Sequence, residues 1–529
     1  MPNQSNTPHD APRPGYVLRL IIFYMELLKE FLSSTALNGL KYLAFKYLIF
    51  WEKLFFLVCF VAAAYNSISF AINIIEKWQT SPVIIIMNPQ ATFVTNEPFP
   101  SVTICNMNQA SRKKVGGFPR NSSDYAMSSK VCFQDLNYTS YATSKFHKSN
   151  DTFGSFITRN AQPCSEMIAM CQWDQTLTTC TDLFREVLLD EGLCCSFNIA
   201  HPFLIYKGDY SMSRDFTTID SQWIPIDWHP ENGYPKDLPK RFYPRKAVGS
   251  GISNGLTLVL NGDIDDYYCS STNGPGFKVQ LHNPIDSPQI KETGLSVSLG
   301  YQTSFRINAI KDEAQPTLRS ISPKDRQCYF SNERPLSYFQ YYTRRNCESE
   351  CDANFLLRTC NCIPYHLPKV IANATICYIE HFDCQVEAEK DYTDPENSKC
   401  KQECLSGCHD LSYSPKIFST PLASENFDVD NSFMRNLTKE YITENLAYLN
   451  IYFPQNFYRS NVKTPYTGLT EYLSQTGGIM SLMIGFSVIS VVEFCYFFIM
   501  KPLAQLWERC FHRNIINIQQ LAAKNNAGD

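Results

Sequence analysis

One carboxylate, Glu493, stands inside an otherwise uncharged run of 29 residues, Tyr472–Met500. A carboxylate at membrane depth costs ~2.5–3.5 kcal/mol even on the lenient insertion scale, so it persists where it meets water or a partner. Small and hydroxylated residues precede it: Gly477-Gly478, Ser481, Gly485-Phe486-Ser487 and Ser490. On one helix, a rotation of about 100° per residue sets 485, 489 and 493 along a single stripe. Glycine carbonyls, a hydroxyl and a carboxylate are the groups that replace a cation's hydration shell, provided several copies align their stripes. A packing motif accounts for the same small residues, and a Glu near a helix end can snorkel.

The surrounding chain must place that run in a membrane. A second uncharged stretch, Leu54–Ile75, is bracketed by Glu52-Lys53 and Glu76-Lys77. Its 22 residues suffice to cross about 30 Å of hydrocarbon. Lys29, Lys41, Lys46 and Lys53 precede the first span, and Lys501, Arg509 and Arg513 follow the second, which puts both termini in the cytoplasm. The short apolar run Leu20–Met25, followed by Glu26, Lys29 and Glu30, is wrong for a signal peptide. It reads as part of a cytosolic helix lying against the membrane. Two spans cannot enclose a path, so conduction requires an oligomer.

Between the spans the chain is too long to be a connector. Of 21 cysteines, eighteen lie between Cys105 and Cys408, with Cys59, Cys495 and Cys510 outside that stretch. Such density marks disulfides made in an oxidising compartment. Glycosylation acceptors at Asn121, Asn137, Asn150, Asn373 and Asn436 agree, whereas the match at Asn3 precedes the first span. The middle region is therefore extracellular. Val83–Met87, Gly255–Leu260 and Gly276–Leu281 read as strands. Residues 107–245 read as helices and loops stapled to a sheet. Ten cysteines within 328–408 make a disulfide-laddered helical rod. A net charge of −4 with 44% hydrophobic residues excludes a nucleic-acid binder and a disordered chain. No zinc-protease, nucleophile-elbow or phosphate-loop signature is present, so an ectoenzyme is disfavoured and neither cofactor nor metal is expected. A cysteine-rich adhesion protein or receptor with a passive second span is the competing class.

From Phe99-Pro100-Ser101-Val102-Thr103-Ile104-Cys105-Asn106 onward the chain resembles the degenerin/epithelial sodium channel family. The resemblance continues in order through Gly192-Leu193-Cys194 with Phe197-Asn198, Asn254-Gly255-Leu256, Gly276–His282 and Gly300-Tyr301-Gln302-Thr303. It runs on through Cys347-x-x-x-Cys351, Cys360-Asn361-Cys362 and Gly477-Gly478 to Gly485-x-Ser487 and Glu493. Several ordered motifs over roughly 35–500 are more specific than any one.

The resemblance implies an α+β membrane protein with two transmembrane helices and a disulfide-rich ectodomain, a central β-sheet palm with peripheral helical finger and thumb. The parts are a cytosolic N-terminus with a re-entrant segment (1–50), a first helix (51–76) and an ectodomain (77–470; 107–245 mainly finger, 328–408 thumb). A pore-lining second helix (471–501) and a cytosolic C-terminus (502–529) follow. It further implies a plasma-membrane homotrimer, in contact with lipid, that is sodium-selective and amiloride-blocked. Gly485, Phe486 and Ser487 would form the filter, with the second helix broken there. Ser490 and Glu493 would line the ion path, and Ser474, Gln475 and Gly478 would mark the gate. Implied disulfides are Cys105–Cys194, Cys328–Cys408, Cys347–Cys404, Cys351–Cys400, Cys360–Cys384 and Cys362–Cys377. Asn38-Gly39 stands where the family usually has His-Gly in the re-entrant segment. Gln475 stands where acid-sensing members carry aspartate.

The extra cysteines Cys132, Cys164, Cys171, Cys180, Cys195 and Cys269 point to an elaborated finger. Phe118, Tyr125 and Phe133 are candidates among its aromatics for stacking and cation–π contact with a short peptide. That resembles the invertebrate FMRFamide-gated branch, so an extracellular RFamide-type neuropeptide is the expected ligand. Proton, mechanical or constitutive gating is the alternative. Most of these aromatics also serve as the finger's own core. Asp263, Asp265 and Asp266 form an acidic cluster that a solvated turn explains.

Overall fold

The computed structural model describes residues 16–80, 82–119, 122–132, 151–207, 223–368, 374–392, 394, 397–423, 429–466, 468–508 and 511. Two compact units emerge, one of residues 1–82 with 465–529, the other of 83–464. Asn121, Asn137, Asn150, Asn373, Phe133 and Cys510 lie outside the described residues.

In the first unit, helix α1 (Tyr16–Ser34) is followed by a turn and by α2 (Phe50–Thr80). At 31 residues, or about 46 Å, α2 outruns the expected 51–76 at both ends. Glu52, Lys53, Glu76 and Lys77 fall within it rather than ending it, because charged residues are good helix formers wherever water reaches them. Phe50–Lys77 and Val488–Glu508 are long and apolar enough to cross a membrane.

The larger unit contributes α3 (Ser123–Cys132), α4 (Phe153–Asn160), α5 (Arg344–Cys360) and α6 (Phe382–Asp391). Its main strands are β1 (Val83–Met87), β2 (Ser101–Asn106), β3 (Ile168–Trp173), β4 (Thr176–Thr178), β5 (Phe184–Leu189) and β6 (Gly192–Phe197). They continue as β7 (Leu256–Asn261), β8 (Phe277–His282), β9 (Leu295–Val297), β10 (Tyr301–Ala314), β11 (Asp410–Pro421), β12 (Leu446–Tyr452) and β13 (Asn461–Pro465). An eight-stranded sheet runs β1-β13-β10-β12-β7-β3-β4, with β11 also on β10. A five-stranded sheet runs β9-β8-β2-β6-β5. The 107–245 stretch thus supplies strands to both sheets as well as finger helices.

Alternation buries one set of side chains from each sheet in a common core. Leu258, Phe305 and Ile451 of the first sheet share it with Ile104, Phe197 and Val279 of the second. Edge-to-face aromatics fasten it, with Phe99 4.8 Å from Trp173 and 5.8 Å from Phe453 between ring centroids.

Helix α5 starts where the Thr343 side chain accepts the Asn346 N–H and stops at left-handed Asn361. Cys347 and Cys351, one turn apart, bond Cys404 and Cys400; Cys360 bonds Cys384 and Cys362 bonds Cys377. Cys328–Cys408 closes this rod, and Cys105–Cys194 ties β2 to β6. The pairs left open by the sequence are Cys132–Cys269, Cys164–Cys195 and Cys171–Cys180. Cys59 and Cys495 are free.

Candidate functional site

The last apolar run is two helices. α7 (Leu469–Ile484) ends because Gly485 adopts φ 70°, a left-handed conformation that glycine takes without a Cβ penalty. Its N–H returns to the Ser481 carbonyl at 3.0 Å, and the Phe486 N–H reaches the Met480 carbonyl at 3.3 Å. A new helix, α8 (Val488–Cys495), starts at Ser487. The Ser487 hydroxyl accepts the Ser490 N–H at 3.4 Å, and the Ser490 hydroxyl accepts the Ser487 N–H at 3.2 Å. Helical backbone continues beyond Met500 to Glu508.

The expectation of one helical stripe through 485, 489 and 493 is therefore corrected. Gly485 lies outside both helices, and Ile489 and Glu493 belong to the second one. Ser490 is buried, its hydroxyl engaged in the cap. Periodicity assumes continuous α geometry, and a left-handed residue resets the phase.

The N-terminal segment folds onto this break. The Asn38 N–H donates to the Ile484 carbonyl at 3.0 Å, beside Gly39 at φ 88°. A Cβ on Gly485 would meet Asn38 side-chain atoms at 2.9–3.1 Å, so glycine is required by contact as well as by conformation. The Ala36 N–H donates to Glu493 Oε2 at 3.2 Å. Phe31 of α1 packs among Phe494, Phe497 and Phe498, with ring centroids 5.4–6.3 Å away. Lys501 Nζ lies 2.5 Å from Glu30. The structure thus brings Asn38 to Gly485 and Ala36 to Glu493, partners hundreds of residues apart in sequence. Ala36 and Phe31 escape sequence reasoning because a backbone N–H leaves no side-chain signature and one phenylalanine in an apolar helix is unremarked.

α7 packs along α2. Ser474, Gln475 and Gly478 are exposed there, and nothing lies within 4 Å of a Cβ built on Gly477 or Gly478. That small-residue face is uncovered by its own chain among the described residues.

The ectodomain candidates resolve differently. Asp263 pairs with Lys113 Nζ at 3.1 Å and Asp266 accepts the Lys113 N–H at 2.8 Å, so that acidic cluster braces a turn. Phe118 packs on Phe156 in the finger core, and Tyr125 is half-buried on α3. A cavity of about 580 Å³ opens between the finger helices and α6. Phe153, Tyr365 and Phe382 line it together with Asp190, Lys291 and Glu389.

A carboxyl pair that the sequence did not single out lies where β8 and β11 meet α5. Burial, with Asp410 beside it, pushes the Asp286 carboxyl up to about 7. Burial, with Asp312 nearby, pushes Asp410 up to about 6. Asp286 Oδ1 is enclosed without a hydrogen-bond partner among the described residues. Three histidines behave oppositely, since burial holds His229, His282 and His366 down to about 4 and therefore neutral.

The description of the amiloride-sensitive sodium channel family matches residues 31–497. Pickpocket protein 28 of Drosophila melanogaster is 35% identical over 501 residues, 92% of this chain and 79% of its own length. Sodium channel protein Nach of Drosophila ananassae is 22% identical over 490 residues, covering 89% and 86%. Human acid-sensing ion channel 2 is 25% identical over 295 residues, 54% of each chain. With two membrane-length helices, a disulfide-rich ectodomain built on sheets and a match along most of its length, this chain belongs to the amiloride-sensitive sodium channel family, which comprises ion channels and not enzymes.

Proposed function

We propose that the chain is one subunit of a homotrimeric, sodium-selective, amiloride-blocked channel of the plasma membrane, with both termini cytoplasmic. The observation that carries this is the break at Gly485–Ser487, closed by a serine cap and backed by Asn38. A helix facing only lipid gains nothing from interrupting its hydrogen bonds, and irregular backbone at membrane depth is tolerated where it faces protein or a water-filled path. Three such breaks around an axis would offer backbone carbonyls to a sodium ion, with Glu493 nearer the cytoplasm. The uncovered face at Ser474, Gln475 and Gly478 suits close approach of neighbouring copies. A bulky residue there, as in Ser474→Phe, is expected to hold the path open and produce a standing current. Exposed Asn436 suits an attached glycan.

For the trigger, the lead reading is an extracellular peptide of RFamide type. The finger cavity supports it, because Phe153, Tyr365 and Phe382 offer stacking surfaces and Asp190 and Glu389 offer partners for a guanidinium. A specific observation favours a second reading, proton gating. Asp286 and Asp410 titrate near neutrality, and one relative is named for acid sensing. Expression in oocytes separates them. Amiloride-sensitive sodium current evoked by RFamide peptides, and lost when Glu389 and Asp190 are neutralised, supports the peptide. Current evoked by acid alone, and lost in Asp286→Asn, supports the proton. Current needing neither stimulus favours mechanical or constitutive opening.

A further inference from the structure

We propose that Arg185 and Arg245, with the Tyr243 hydroxyl and His201 beside them, form an ectodomain site that binds a small carboxylate. None of the four lines the finger cavity.

Their placement comes from the second sheet and the segment that follows it. Arg185 lies on β5, in register with Ser196 of β6. Its Cζ stands 4.9 Å from the centre of the Tyr243 ring. Arg245 comes two residues later, and Asn198 clamps its backbone, accepting the Arg245 N–H at 2.5 Å and donating to the Arg245 carbonyl at 3.1 Å. The Arg245 guanidinium is thereby set 3.9 Å from the Trp223 ring and 5.6 Å from that of Phe197. The His201 ring lies 6.5 Å from Tyr243. Its Nδ1 accepts the Phe203 N–H at 3.3 Å, so the neutral ring carries its proton on Nε2.

Every polar side chain gathered here can donate a hydrogen bond. Neither guanidinium forms an ion pair among the described residues. Arg185 Nη1 is enclosed without an acceptor, and so is the hydroxyl of buried Tyr243. Buried polar groups are paired almost without exception, so orphaned donors beside two unpaired cations point to an anion. The cations also oppose each other. Burial, with Arg185 beside it, holds Arg245 down to about 10. Burial and then Arg185 lower His201, which keeps it neutral. Exposed Asp182 attracts Arg245 without pairing with it and offsets part of one charge, so a monoanion suits the balance left. A carboxylate fits better than a halide, because a guanidinium presents its N–H groups as a flat fork to two coplanar oxygens. Arg185, His201 and Arg245 are each half-buried, which leaves a way in.

Thermal unfolding of the full chain in detergent, with acetate as the probe, tests the site. Tryptophan fluorescence reports the midpoint, in sodium methanesulfonate at neutral pH and constant ionic strength. Acetate at about a hundredfold excess over half-saturation should raise the midpoint by about 2–4 °C. Chloride and sulfate should raise it less. Tyr243→Phe deletes one orphaned hydroxyl and keeps the ring, so the acetate-free midpoint should hold while half-saturation moves about three- to tenfold higher. Arg185→Gln should reverse the order of midpoints. Without acetate it should match or exceed the unmodified chain, because one of two like charges has gone; in saturating acetate it should fall below. A midpoint indifferent to acetate would overturn the site, and so would Arg185→Gln lying equally far below the unmodified chain in both media, the mark of packing alone. Chloride or sulfate equalling acetate would overturn the choice of a carboxylate. If Arg185→Gln does not fold, Tyr243→Phe decides, and unchanged half-saturation there would overturn the site.

Discussion

The ectodomain and the membrane unit solve the same problem, holding a chain in one shape, by opposite means. In the ectodomain two sheets bury a shared aromatic and aliphatic core, and nine disulfides tie helices and strands together. In the membrane unit most large apolar side chains of α2 and α8 point outward, as lipid-facing helices require. Fixity there comes from a few directed contacts: a left-handed glycine, a serine cap, an N–H on Glu493 and an aromatic cluster on Phe31. Loss of any one part should thus damage the first region through folding and the second through conduction.

The largest expected effect breaks the first half of that contrast. Cys347→Ser removes a bond between α5 and the segment before β11, and deleting such a disulfide costs about 2–5 kcal/mol. Surface biotinylation should show most of the protein lost; normal surface levels with altered selectivity would invert the comparison.

Gly485→Ala sharpens the second half. A left-handed alanine costs about 1–2 kcal/mol and its Cβ would strike Asn38, so reversal potentials should show sodium selectivity collapsing while surface levels stay near wild type.

Next comes the buried carboxyl pair. A carboxyl whose folded pKa is raised penalises the folded state once it ionises, and the penalty vanishes below its unfolded pKa. Ectodomain stability should therefore rise as pH falls below about 7, the position of Asp286, and further below about 6, that of Asp410, levelling off near the unfolded carboxyl pKa of about 4. Thr343, Arg345 and Glu348 of α5 and its approach face Asp286; Asp312 and Lys463 face Asp410. Asp286→Asn should flatten most of this slope in thermal melts of the full protein. An unchanged slope would place the titration elsewhere.

Ser487→Ala is the smallest change. Losing an N-cap costs about 1 kcal/mol, which should shift the permeability ratio less than Gly485→Ala does, measured in the same bi-ionic recordings.

Sequence reading reached the regular parts and missed what depends on long-range contact. Val83–Met87 is a strand over those very residues, and β7 and β8 begin one residue after their expected starts. These runs carry their periodicity in their own side chains. The filter stripe failed because helical phase cannot anticipate φ 70° at Gly485, although Gly485-x-Ser487 was already marked by family resemblance. Asp263 and Asp266 drew attention by proximity in sequence, yet Lys113 neutralises their interest as a trigger. Asp286 and Asp410 lie 124 positions apart, and only the approach of β8 and β11 to α5 makes them a pair. Phe118 turned out to pack on Phe156, since a finger with few long helices needs its aromatics as core.

The central claim is that the broken second helix faces a water-filled path shared between copies. Its most direct test replaces Cys59 and Cys495 by serine, places single cysteines at 474, 475, 478 and 487, and applies a charged thiol reagent to activated channels. Progressive, irreversible block of the amiloride-sensitive sodium current at these positions, with none at lipid-facing 58 or 61 of α2, is the result the account predicts. Current untouched at all four positions, in channels that still open, would contradict it.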